Sequence, residues 1–114
     1  MLLILGHGKL YHHPHGRNQS SIRCSPIPVE NWINQEYISV DNRPEVEPDI
    51  IYDLNQDTWY FAEDNQFEQI IDTTGLGLSH KYKKQSFIDE LNRILKPNGI
   101  FHGWRNFKYQ KPEE

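Results

Sequence analysis

Four short apolar runs in this chain each end on residues able to hold a small polar ligand. Gly6 and Gly8 follow Leu2–Leu5, Asp41 closes Tyr37-Ile38-Ser39-Val40, and Asp53 closes Asp49-Ile50-Ile51-Tyr52. Asp72-Thr73-Thr74-Gly75 follows the fourth run, Phe67-Glu68-Gln69-Ile70-Ile71. Glycines one residue apart let a backbone turn sharply and approach a neighbour where a Cβ would intrude. A carboxylate only accepts hydrogen bonds, which suits the hydroxyls of a ribose at Asp41 and the exocyclic amine of an adenine at Asp53. If the runs are parallel strands, all four features lie at one rim of one sheet, beyond the carboxyl ends where open α/β sheets bind ligands. Taken singly these signals are weak, since an Asp after a strand commonly does no more than form a turn.

The elements that must position these groups follow from the hydrophobic pattern. Leu2–Leu5 is apolar without interruption, the mark of a strand covered on both faces. Residues Tyr37–Asp41, Asp49–Leu54, Phe67–Asp72 and Ile100–Trp104 read as the second to fifth strands. The link between the second and third is short for a parallel crossover, which normally takes a dozen residues or more. An extended, helix-free crossover is expected there. One helix, Ser86–Leu95, places Phe87, Leu91, Ile94 and Leu95 on a single stripe and stops at Lys96-Pro97-Asn98-Gly99. Residues 11–28 are polar and rich in Pro and Ser, so they read as loop, with one helical turn near Val29–Trp32. Residues 105–114 read as a polar tail. The order predicts one α/β domain over residues 1–114 with little helix.

Composition narrows the function classes. A chain of 114 residues with a net charge of −4 is one domain without broad attraction for phosphate backbones, so nucleic acid is not indicated. Its one basic cluster, Lys81, Lys83 and Lys84, reads as the solvated first turn of the helix. The single cysteine, Cys24, allows no internal disulfide and fits a reducing compartment, and no stretch has the length and apolarity of a membrane span. A soluble, cytoplasmic protein is expected. His7, His12, His13 and His15 lack a Cys pair or a second ligand group at helical spacing, so no metal site is expected. They read as a polar loop, with a general base as the alternative. A nicotinamide dinucleotide fingerprint fails, because Tyr11 stands at the third glycine position counted from Gly6.

The long stretch PDIIYDLNQDTWYFAEDNQFEQIIDTTGLGLSH, followed by FIDELNRILKPNGIF, resembles the class I S-adenosylmethionine-dependent methyltransferases, in a short form of the methyltransferase type 11 kind. The resemblance rests on Asp53-Leu54 ending strand three, Phe67-Glu68 entering strand four, and Leu91, Arg93, Leu95-Lys96-Pro97 and Gly99 closing the helix. It implies a minimal Rossmann-like sheet of about five mostly parallel strands in the order 3-2-1-4-5. It further implies S-adenosylmethionine as cofactor, with Gly6 and Gly8 beside the methionine moiety and Asp41 on the ribose. Asp53 and Leu54 would hold the adenine, and Thr73 and Thr74 would line the floor near the sulfonium. His80 sits where that family often has a histidine, most simply as a local structural contact. The chain departs from the pattern at Ile4, where an acid is usual, at Leu10, where a third glycine is usual, and in lacking the helix after strand one and the last two strands.

Two functions of different kinds follow. One is methyl transfer from S-adenosylmethionine to an acceptor that the sequence does not name, with no catalytic residue assigned. The other is a catalytically inactive, methyltransferase-like subunit that binds or stimulates a partner. A sheet short of helices would leave a face or an edge uncovered for a second copy or another protein. Trp32, Trp59, Tyr60, Phe61 and Trp104 are the candidate anchors, with core packing as their alternative role.

Overall fold

All four residues of Leu2–Leu5 (β1) are buried, as a strand covered on both faces at the centre of a sheet requires. The computed structural model describes residues 1–7 and 24–113. Tyr37–Asp41 (β2) and Phe67–Asp72 (β4) flank β1, Ile50–Ile51 (β3) pairs with β2, and Leu95–His102 (β5) pairs with β4, all parallel. Lys108–Gln110 (β6) closes the far edge antiparallel to β5. The sheet is therefore six strands in the order β3-β2-β1-β4-β5-β6. The expected five-strand order is present, with one strand more: part of the polar tail forms β6.

The short crossover between β2 and β3 is parallel after all, because little distance has to be recovered. β3 pairs only with the last two residues of β2, Val40 with Ile50 and Asp41 with Ile51. The link is not free of helix: a 3-10 turn at Pro44–Val46 buries Val46 and ends on Glu47 in the left-handed region. Asp49 ties the return to β2 by accepting from the backbone N–H of Ser39 at 2.9 Å. The third strand is shorter than its sequence implies, two residues in place of six.

Two helices follow β4, Leu76–Ser79 (α1) and Gln85–Ile94 (α2). α2 buries Phe87, Leu91 and Ile94 against β1, β4 and β5, as the stripe requires. Burying each such side chain is worth about 1.5–3 kcal/mol. The chain then leaves α2, and Lys96-Pro97-Asn98-Gly99 bulges from the β4–β5 ladder, whose register jumps from Phe67–Leu95 to Gln69–Ile100. Arg93 holds the loop ahead of β4, donating to the carbonyls of Trp59 at 2.8 Å and Ala62 at 2.9 Å.

The second face of β1 and β4 is not bare. Leu2, Ile4 and Ile71 pack beneath Trp32, with Ile27, Val29, Ile33 and Tyr37 around it. Buried Trp32 and Trp59 belong to the two cores and are not surface anchors, and Phe61 and Trp104 pack partly against the larger core. Of the five aromatic candidates only Tyr60, at 81% exposure, stands clear. The outer strands among the described residues, β3 and β6, are two and three residues long.

Candidate functional site

In the strand order, β1 is where the chain turns from building one half of the sheet to the other, since β2 lies on one side and β4 on the other. Such a switch point opens a crevice beyond the carboxyl ends of the strands. A cavity of about 310 Å³ lies there, lined from four strand ends by Gly6, Asp41, Asp53, Leu54 and Thr74. Its volume is at the low end for small-molecule sites. Tyr52, Asn42, Arg43, Asn55, Gly77 and Leu78 complete the wall.

The two carboxylates meet because β3 starts level with the end of β2. The N–H of Tyr52 donates to the Asp41 carbonyl at 3.0 Å, which carries the ladder one residue past β3 and sets Asp53 at the rim. Asp41 is 5% exposed. Its Oδ1 accepts from the backbone N–H and Nε of Arg43, and its Oδ2 from Nη2, each at 2.9 Å. Burial raises the Asp41 carboxyl above the ordinary carboxylate range, against the backbone N–H groups of Arg43 and Asn42, which lower it. Asp53 is exposed, with Oδ1 taking the N–H of Asn55 at 2.9 Å to close its turn.

Gly6 has φ +87°, and a Cβ there would stand 2.5 Å from Thr74 Cγ2. The close neighbour its missing side chain admits is the turn after β4. The two threonines differ. Thr74 lines the cavity, while buried Thr73 gives its N–H and its hydroxyl to the Leu5 carbonyl, at 2.9 and 2.8 Å, and is absent from the lining. Of the two threonines expected at the floor, Thr74 is among the residues lining this cavity. Gly8 and the histidines His12, His13 and His15 lie outside the described residues.

Beneath the cavity floor is a buried polar chain. Asp72 is fully buried and accepts from Thr74 N–H at 2.8 Å, Thr74 Oγ1 at 2.6 Å and Tyr82 Oη at 2.6 Å. Tyr82 Oη in turn accepts the N–H of Trp104 at 2.7 Å. Burial raises the Asp72 carboxyl, opposed by those hydrogen bonds, and burial together with the Asp72 charge raises the Tyr82 phenol strongly.

Lys81 corrects the reading of its cluster. It is buried, and its ammonium donates to the carbonyls of Asn55 at 2.6 Å and Gln56 at 3.2 Å, fastening the loop that carries Asp53 and Leu54. Burial lowers its pKa. Sequence reasoning missed Tyr52, Arg43 and Leu78 as wall residues. Arg43 had a local signal, two residues beyond Asp41, whereas Leu78 reaches the wall only through the fold.

Among the described residues no group of three or more His, Cys, Asp or Glu could hold a metal, and no helix is long and apolar enough to cross a membrane. Comparison with protein-family models, with curated proteins and with solved structures found no match. Fold and cavity thus define a class by geometry: a mostly parallel α/β sheet with a crevice at its switch point.

Proposed function

We propose that this chain is an S-adenosylmethionine-dependent methyltransferase-like protein of the cytoplasm, transferring a methyl group to an acceptor of its own. One observation carries the reading: residues from four strand ends, far apart in sequence, converge on the switch-point cavity with two acidic groups at adjacent rims. The acceptor groups fit the adenosine part of the cofactor. Asp41 would accept from the ribose hydroxyls once Arg43 gives way, and Asp53 from the adenine amine. Leu54 and Leu78 supply apolar wall, and Gly6 keeps the floor open beside Thr74. When bound, S-adenosylmethionine supplies an electrophilic methyl group on a sulfonium, and S-adenosylhomocysteine remains after transfer. Holding donor and acceptor in line accounts for much of the rate of such a displacement, so the chain's task is positioning.

A second reading, a catalytically inactive subunit that binds a second copy or another protein, is favoured by the fork of Arg43 on both oxygens of Asp41. That fork competes with a ribose. Calorimetric titration with S-adenosylmethionine and S-adenosylhomocysteine separates the two. Saturable binding of both is expected, weakened roughly tenfold or more by Asp41→Ala, as fits loss of a hydrogen bond to a charged group. The thermal midpoint of that variant, measured alongside, shows whether folding accounts for the loss. No heat at millimolar ligand would leave the partner reading in its place.

A further inference from the structure

A second cavity, of about 520 Å³, opens between the α1–α2 corner and the β5–β6 turn. Among the described residues it shares no lining residue with the first: Gly77 and Leu78 face one, Leu76 and Ser79 the other. We propose that it binds a small planar aromatic anion, such as an arene carboxylate.

Its volume falls within the range of small-molecule sites. Its wall is aromatic, made by Tyr82, Trp104 and Phe107, with Leu76 left 70% exposed at the mouth. Flat rings stack on such walls. The wall is also set before any ligand arrives. Tyr82 is pinned by its bonds to Asp72 and Trp104 and stacks on Phe107 with ring centres 4.6 Å apart. A rigid wall loses less freedom on binding.

The charge of the ligand follows from the rim. Exposed Lys83 and Arg105 line the cavity, and among the described residues no acidic one does. Arg105 sits at φ 57°, a left-handed conformation disfavoured for a long side chain, in the turn that brings it to this rim. A guanidinium pairs with a carboxylate through two parallel hydrogen bonds, and Lys83 adds a point charge.

Nothing in this wall depends on the adenosine reading, and no adenosine ligand enters the test. The full chain is titrated with 2-naphthoate and with neutral 2-naphthalenemethanol, by calorimetry and tryptophan fluorescence. The carboxylate should bind saturably and at least tenfold tighter than the alcohol. The double variant Lys83→Gln with Arg105→Gln should erase that difference without moving the unfolding midpoint, both side chains being exposed. Leu76→Asp, also at an exposed position, should weaken the carboxylate further. Equal affinity for acid and alcohol, an advantage that survives the double variant, or no saturation with 2-naphthoate would each overturn the proposal.

Discussion

Tyr82→Phe should lower the free energy of unfolding by about 2–4 kcal/mol, because one hydroxyl serves a buried carboxylate and a half-buried backbone N–H. Its proton goes to Asp72 Oδ2 and its oxygen receives the N–H of Trp104. The phenyl ring keeps the packing against Phe87, Phe101 and Phe107, so the loss isolates the polar contacts. The loss should also depend on pH. Asp72 has a folded pKa above its unfolded value, so between the two the native state holds the extra proton and stability falls as pH rises. Removing the Tyr82 hydrogen bond, which lowers the Asp72 value, extends that fall to higher pH. The deficit should therefore be larger at neutral pH than at about pH 4, near the unfolded carboxylate value. Denaturant melts at both pH values measure it. A deficit independent of pH would mean that Asp72 does not titrate between them.

Gly6→Ala should cost about 2–5 kcal/mol, combining a left-handed backbone with an overpacked contact. The methyl carbon would stand 2.5 Å from Thr74 Cγ2 and 3.2 Å from Thr74 N, in a turn whose φ is +87°. Relief requires the turns after β1 and β4 to part, which would deform the cavity they floor. Equilibrium unfolding in urea gives the cost, and a change below about 0.5 kcal/mol, the scale of an ordinary surface substitution, would show that the turn is not so confined.

Much of the fold was legible because the signals were local and repeated. Leu2–Leu5 and Phe67–Asp72 carry strand patterns, and Phe87, Leu91 and Ile94 recur at helical spacing before the stop at Pro97 and Gly99. The strand order was not legible in the runs themselves and came only from the family resemblance, since groups at the carboxyl ends of parallel strands share one rim whatever the order. What was lost depends on distant partners. Lys81 looks solvated beside Lys83 and Lys84, yet the carbonyls of Asn55 and Gln56 curl around its ammonium from far along the chain. Lys108–Gln110 has too few apolar residues to announce a strand, but an edge position asks for few, and β5 supplies its partners. Thr73 and Thr74 are identical in sequence and opposite in use, since Thr73 gives its hydroxyl to the Leu5 carbonyl of β1 and Thr74 gives its own to Asp72 Oδ1. Trp32 and Trp59 could anchor a partner or, as is commoner for such residues, fill a core, and both fill one.

The place of an adenosine ligand can be read directly from backbone amide shifts in nitrogen–proton correlation spectra as S-adenosylhomocysteine is added. Saturable shifts should gather at Gly6, Asn42, Arg43, Asp53–Asn55 and Thr74–Leu78, the amides around the switch-point cavity. Spectra unchanged at millimolar ligand, or shifts confined to the β5–β6 turn and the rest of the sheet, would contradict an adenosine site at the end of β1.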